Sequence, residues 1–224
     1  MELTIIIPVK NELNNLNNLI SNIKIFRKTI NFLFVDGNSN DGSYELLVRN
    51  NFHVIRQNPS GIYAAFNFGI QNTNTKYCMF LGSDDSLLSG INILVNELYK
   101  LEFCMMICQS CILPDNIITK HKYHYSNLIS TNFCHQSIIY NTNYLKNNLY
   151  SLKHNVMGDW LLNLKLISKY QNKIYFSDYI ISTYKKGGYS AMNKDSKWEN
   201  NHILYKFRYL KISSILKFIC CKNG

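Results

Sequence analysis

Tyr77-Cys-Met-Phe-Leu-Gly-Ser-Asp-Asp85 is a run of five apolar residues that ends on a glycine, a serine and two carboxylates. A short apolar run closed by turn residues reads as a strand buried on both faces. The pair Asp84–Asp85 therefore falls at a strand's carboxyl end. The same design recurs upstream. Leu3 to Val9 is an isoleucine-rich strand followed by Lys10-Asn11-Glu12, Asn31 to Val35 is a strand followed by Asp36-Gly37, and His53 to Arg56 is a brief third strand.

Helical spacing fills the intervals. Asn11 to Ile25 carries Leu13, Leu16, Leu19, Ile20 and Ile23 on one stripe. Asp41 is placed to cap a helix containing Tyr44, Leu46, Leu47 and Val48, since aspartate is a favoured cap. Gly61 to Gln71 and Ile91 to Leu101 complete the set of four. Strands alternating with helices imply a parallel, doubly wound sheet. Ligands of such sheets bind beyond the carboxyl ends of the strands. Glu12, Asp36 and Asp84–Asp85 all gather at that edge, so one site is expected there.

Beyond residue 103 the pattern loosens. Cys104 to Leu113 and Ser137 to Tyr140 read as strands, Trp160 to Ile167 as a helix, and Lys173 to Tyr184 as one or two strands. Ile117 to Ile129, with His121, Tyr123, His124 and Tyr125, reads as a hairpin or a loop. The expected organisation is one domain over 1–193, with a regular half (1–102) and a mixed half (103–193), followed by a basic amphipathic tail over 194–224.

Of 224 residues, 46% are hydrophobic and 13% aromatic, a composition that folds. The formal charge is +10, and the last 31 residues hold seven basic and two acidic side chains, half of that excess. A basic balance favours an acidic partner: nucleic acid, an anionic membrane or phosphate-bearing substrates. From His202 to Cys220 apolar residues alternate with Lys206, Arg208, Lys211 and Lys217. Those cations argue against a bilayer span. An amphipathic helix on an anionic inner leaflet and a helix packed on the core both fit. Nucleic-acid binding is disfavoured, because no stacking-aromatic motif or zinc framework accompanies the charge.

Seven scattered cysteines and a start (Met1-Glu2-Leu3-Thr4) without a basic leader lead us to expect a reduced, cytoplasmic protein. Cys108-Gln-Ser-Cys111 matches C-x-x-C, but that spacing along a strand puts the thiols on opposite faces. Structural burial is expected.

Two adjacent carboxylates repel each other and are costly to desolvate. A hard divalent cation, Mn²⁺ or Mg²⁺, would relieve both problems and bind substrate phosphates. A solvated Ser-Asp-Asp-Ser turn would also explain the pair. Asp159 in Met157-Gly-Asp-Trp160 stands before a helix, as a simple cap or as a general base. Asp178, in a strand-like run, is a weaker candidate for a base.

Four segments, in this order, resemble the family 2 glycosyltransferases of GT-A fold: Ile7-Pro-Val-Lys-Asn-Glu12, Val35-Asp-Gly-Asn-Ser-Asn-Asp-Gly-Ser43, Gly61-Ile-Tyr-Ala-Ala-Phe-Asn-Phe-Gly69 and Phe80-Leu-Gly-Ser-Asp-Asp85. The resemblance covers roughly residues 3 to 100, and it implies a nucleotide-sugar half over 1–102 and an acceptor half over 103–193. The resemblance implies a GT-A-like α/β fold and a metal-dependent, inverting transfer from a UDP-sugar. Pro8 and Glu12 would line the nucleotide pocket, Asp36 would read the uracil or ribose, and Asp84 would lie near the donor ribose or sugar. Asp41, Gly61 and Asn67 complete the implied nucleotide-sugar set, and Asp85 would contact the metal. His135-Gln136 and Gly187-Gly188-Tyr189-Ser190 resemble segments of bacterial polysaccharide members. They imply an acceptor or sugar pocket at His135, Gln136, Gly187 and Gly188. Asp159 matches the family's acidic motif and would be the base. The chain departs from the family at two places: Ser83 starts the motif usually written Asp-x-Asp, and Ala64 replaces a frequent acidic residue. The implied acceptor is a glycan, lipid-linked, in O-antigen, capsule or lipooligosaccharide synthesis on the inner face of the cytoplasmic membrane. A nucleotide-sugar-binding module without catalysis is the alternative.

Overall fold

In the computed structural model, the residues described are 1–119, 128, 131–187 and 193–210. The sheet is built outward from β1 (Leu3–Val9), which pairs in parallel with β2 (Asn31–Asp36) and with β4 (Tyr77–Phe80). β3 (His53–Arg56) extends the parallel half beyond β2. β7 (Ile138–Asn141) adds to β4 antiparallel, and β5 (Met105–Leu113) pairs antiparallel with β7. β8 (Ile174–Lys185) then runs parallel to β5, and the two-residue β6 (Ile117–Ile118) pairs antiparallel with it. The order β3-β2-β1-β4-β7-β5-β6, with β8 on β5, is a parallel half joined to a mixed half.

Helices cover both faces. α1 (Leu13–Ile23) and α4 (Gly90–Val95) lie on one, α3 (Ile62–Gln71) and α6 (Gly158–Tyr170) on the other. The period-two geometry of a strand assigns the residues. Leu3, Ile5, Ile7 and Val9 pack with Leu16, Leu19 and Ile23 of α1, whereas Ile6 joins Leu33, Val35 and Phe66 on the opposite face. This explains why β1 is apolar at nearly every position. Each such side chain contributes about 1.5–3 kcal/mol by leaving water, and truncating Ile5 to alanine would cost about 2–5 kcal/mol.

α2 (Ser43–Arg49) and α5 (Thr142–Lys146) are short. Two expected helices are also shorter than their patterns. The first ends at Ile23 and tightens into a 3₁₀ turn over Lys24–Phe26, and the fourth ends at Val95 with a 3₁₀ turn at Leu98–Lys100. The segment expected as one or two strands from Lys173 to Tyr184 is the single strand β8, which starts at Ile174 and has register shifts against β5 near Gln109. Of the Ile117–Ile129 segment, Ile117 and Ile118 form the hairpin arm β6. His121, Tyr123, His124 and Tyr125 lie outside the described residues.

Cys108 is fully buried and Cys111 half-buried, both as free thiols. Burial pushes the Cys108 thiol up to about 12, which suits an inert core residue and not a redox centre.

The C-terminal segment is helical over α7 (Ser196–Tyr209). One face docks on the core: Trp198 is buried against Trp160 with ring centroids 4.8 Å apart, and Lys206 sits 4.5 Å above the Trp160 ring. Ile203, Leu204 and Phe207 remain exposed. Asp195 caps the helix through the Trp198 amide at 2.9 Å. The expected tail from 194 is thus, up to residue 210, a helix seated on α6. No helix among the described residues is long and apolar enough to cross a membrane.

Candidate active site

The loops after β1 and β2 are stitched together by short polar side chains. Ser39 Oγ accepts the Asn11 amide (2.9 Å), Ser43 Oγ the Glu12 amide (2.9 Å), and Asp41 Oδ2 the Leu13 amide (3.0 Å). Asp41 Oδ1 also accepts the Ser43 amide at 2.9 Å, so one carboxylate serves the starts of two helices. Its bond to the Ser43 side chain, first among the causes, lowers the Asp41 pKa. Asn11 and Asn38 hold φ of 55° and 57°, a left-handed region that asparagine tolerates. The Asn-Ser-Asn-Asp-Gly-Ser sequence is therefore a scaffold that fixes the mouth of the sheet.

Over this edge lies a cleft of about 550 Å³ lined by Pro8, Lys10, Glu12, Gly37, Gly61 and Asp84. A second, of about 410 Å³, is lined by Tyr63, Asp85, Asn132, His135, Gln136 and Asp159. Pro8, Ile62, Gly82 and Asp84 border both clefts, so they form one trough divided by the acidic turn. Their sizes fall in the range of small-molecule sites.

The two carboxylates of the turn differ. Asp84 is exposed, whereas Asp85 retains 5% exposure. Asp85 Oδ2 accepts Gln136 Nε2 at 2.7 Å and Oδ1 accepts the Lys185 amide at 3.2 Å. Burial pushes its pKa up to about 6, against the opposing effect of the Gln136 bond. A Cβ on Gly82 would lie 2.8 Å from Asp85 Oδ2 and 2.9 Å from Asp84 Oδ1. Both carboxylates therefore converge on one point above a residue that has no side chain. That hard-oxygen pair fits a Mn²⁺ or Mg²⁺ ion, which takes few protein ligands and completes its shell with water and substrate phosphates. Among the described residues no set of three or more His, Cys, Asp or Glu side chains could hold a metal; an ion in this turn would have Asp84 and Asp85 as its protein ligands.

On the opposite wall, Asp159 is in the first turn of α6 and partly buried. Its Oδ1 accepts the Trp160 amide (2.8 Å) and its Oδ2 accepts Asn132 Nδ2 (2.7 Å), with the Tyr63 hydroxyl oxygen 3.3 Å from Oδ1. Desolvation still outweighs these bonds and raises its pKa to about 6. Tyr63 organises this corner. Its hydroxyl accepts the amides of Gly158 (2.9 Å) and Asp159 (3.3 Å) and donates to the Val156 carbonyl. Its ring lies 2.7 Å from where a Cβ on Gly158 would be, so glycine is required there. Asp195 Oδ2 holds the same loop from behind. It accepts the amides of Asn155 (3.2 Å), Val156 (3.4 Å) and Met157 (3.2 Å), with His154 Nδ1 also 3.2 Å away.

His135 packs on Phe66 at 5.9 Å, and burial pushes its pKa down to about 4, so its imidazole is neutral. The trough therefore brings together Pro8, Glu12, Gly61, Asp84, Asp85, His135, Gln136 and Asp159. Asp36 is fully buried, with its carboxylate on Arg56 Nε (3.0 Å) and the Ser39 amide (3.2 and 3.3 Å). Asn67 pins Tyr150 through both backbone groups, at 3.0 and 2.9 Å. Neither Asp36 nor Asn67 lines either cleft, and Asp41 has the scaffold role above. Asp178 accepts Gln109 Nε2 at 3.1 Å on the surface. Gly187 is exposed with φ 88°, and Gly188 lies outside the described residues. Sequence reasoning gave no role to Tyr63, Asn132 or Lys185. Tyr63 stands inside a quoted motif, whereas Asn132 carries no local signal.

A GT-A architecture with an acidic turn and a partly buried carboxylate lining one trough defines the class. The chain matches Glycosyl transferase family 2 over residues 4–171 and belongs to that family. A "PGL/p-HBAD biosynthesis glycosyltransferase" of Mycobacterium bovis is 23% identical over 175 residues, covering 70% of this chain. A Mycobacterium tuberculosis counterpart matches equally, and the chain spans 65% of the length of these relatives. S. aureus TarS, solved with UDP-GlcNAc, superposes with a TM-score of 0.73 at 16% identity, over 91% of this chain and 64% of that one. A mannosyltransferase of Pyrobaculum calidifontis, solved with GDP-Man and Mn²⁺, gives 0.62 at 15% identity, over 84% and 58%. At such identities the likeness establishes the GT-A fold.

Proposed function

We propose that this chain is a metal-dependent, inverting glycosyltransferase that moves a sugar from a UDP-sugar to a glycan acceptor. One observation carries the proposal. A two-carboxylate turn and a raised, hydrogen-bonded carboxylate face each other across a single trough. The cleft of Pro8, Glu12 and Gly61 takes the nucleotide, as UDP occupies TarS and GDP-Man the mannosyltransferase. A divalent ion at Asp84 and Asp85 would neutralise the leaving diphosphate as a Lewis acid. Asp159 removes the acceptor hydroxyl proton while C1 is attacked from the opposite face. His135 and Gln136, which line the second cleft, would border the sugar and acceptor. With an α-configured donor the product is β-linked.

The acceptor proposed is lipid-linked, as in O-antigen, capsule or lipooligosaccharide assembly at the inner face of the cytoplasmic membrane. The exposed row Ile203, Leu204 and Phe207 beside Arg208 supports this, because apolar insertion next to cations suits an anionic lipid surface. The catalytic unit proposed extends to residue 210, because Asp195 and α7 hold the loop before Asp159. The test is a UDP-release screen across donor sugars with synthetic lipid-diphosphate glycans. Release that depends on both donor and acceptor supports the function. UDP-sugar binding without turnover on any acceptor would favour a non-catalytic binding module.

A further inference from the structure

We propose that Asn132 and Asn163 are positioning residues, which together with the Tyr140 hydroxyl form a directed hydrogen-bond chain ending on Asp159. The proposal rests on Asp159 as the general base. The chain starts in the core: Tyr140 O–H donates to Asn163 Oδ1 at 2.8 Å. Asn163 Nδ2 donates to Asn132 Oδ1 at 3.0 Å, and Asn132 Nδ2 donates to Asp159 Oδ2 at 2.7 Å. Tyr140 and Asn163 have no exposed surface. Asn163 stands in α6 among Leu161, Leu162 and Leu164, where an apolar residue would pack without a desolvation cost. Burying an amide and a phenol there is costly unless each is paired, and each is.

The direction matters. A side-chain amide has a donor end and an acceptor end, and an ionised carboxylate only accepts. With Asp159 ionised, every member donates toward it, so one arrangement satisfies all four groups. Oδ1 is held from the other side by the Trp160 amide. The carboxylate is thus fixed about its own axis, and its charged form is favoured against the burial that opposes it. The other titratable groups around it, apart from Asp85, stay neutral near pH 7. Burial raises Tyr63 of α3, Tyr140 of β7 and Tyr150 of the loop after α5, and takes Cys134 to about 12. His135 is pushed down to about 4. Asp85 lies across the cleft.

The experiment is a ¹³C carboxyl titration of the full chain labelled at aspartate, with the Asp159 signal assigned by its loss in Asp159→Asn. The acid limb of kcat, under saturating Mn²⁺ and the UDP-sugar and acceptor that give the highest UDP release, is read in parallel. Asn132→Leu removes the charge-assisted donor and should raise the Asp159 pKa and the kcat limb by about one unit. Tyr140→Phe deletes one hydroxyl, keeps the ring, and touches nothing at the carboxylate. It should move both in the same direction by a few tenths of a unit, with Mn²⁺–UDP affinity unchanged. An Asp159 titration unmoved in folded Asn132→Leu overturns the proposal. A shift in Asn132→Leu with none in Tyr140→Phe overturns the chain beyond Asn132. Transfer retained by Asp159→Asn overturns the base assignment on which the proposal rests, whatever the titrations show.

Discussion

Replacing Asp159 with asparagine should separate catalysis from stability. The folded protein holds this carboxyl at about 6, against 3.8 for an unperturbed aspartate. A difference of about two units, at 1.36 kcal/mol each, is about 3 kcal/mol. The sign follows from linkage: a raised folded-state pKa stabilises the fold below the unfolded value, and that stability is lost as pH rises through the folded one. For Asp159 the loss runs from about pH 4 to about pH 6. At pH 7.5 the ionised side chain therefore withholds up to about 3 kcal/mol, which a neutral asparagine does not. The gain is offset where the new Nδ2 meets a neighbouring donor, Asn132 Nδ2 or the Trp160 amide, at about 1–3 kcal/mol. The net change lies between about zero and +2 kcal/mol. At roughly 2–4 °C per kcal/mol for a chain of this size, the melting temperature should hold or rise by several degrees at pH 7.5. At pH 4 the gain should vanish. Transfer should meanwhile fall by about 10²–10⁴. Thermal denaturation at both pH values, with a UDP-release assay, measures both. A variant that melts well below wild type at pH 7.5 and keeps its activity would make Asp159 a helix cap and refute the reasoning.

Tyr63→Phe removes the hydroxyl that joins Val156, Gly158 and Asp159. It should cost about 1–3 kcal/mol of stability by denaturant unfolding and lower kcat more than it raises the KM for donor. Asp195→Ala leaves three loop amides and the start of α7 without their acceptor, so it should destabilise by about 2–4 kcal/mol and raise the acceptor KM with donor affinity nearly intact. In wild type, kcat should fall tenfold per pH unit below about 6, as Asp159 takes up its proton. A flat profile from pH 5 to 8 would argue against a carboxylate base. Ile203→Ser combined with Phe207→Ser should weaken sedimentation with anionic vesicles and leave folding unchanged, because both side chains are exposed.

The parallel half of the fold was legible because its pairing partners recur in regular order. Each strand is an apolar run, each helix a stripe, and polar residues mark the carboxyl ends. Asp36 shows what that rule leaves open. A polar residue at a strand end can face the ligand or a neighbouring strand, and Arg56, across the β2–β3 register, takes this one. Asn67, named through its motif, braces a backbone segment 83 residues away, a contact that the motif does not spell out. The mixed half hid more. β5 and β8 are partners across a long separation, and the Asn132–Asn163 pair exists only once α6 packs beside the loop before β7. No local pattern encodes such contacts. Asp159 could be singled out because it combines a motif with a helix start, whereas Tyr63 and Asn132, which hold it, offered only ordinary side chains.

Asp84 and Asp85 are proposed to join a metal to the nucleotide-sugar cleft. Thermal stability of wild type and Asp85→Asn with UDP, with Mn²⁺ and with both tests it most directly. Wild type should gain several degrees with UDP and Mn²⁺ together and little with either alone, and Asp85→Asn should lose that joint gain. Equal protection by UDP without metal, or an undiminished joint gain in Asp85→Asn, would contradict the account.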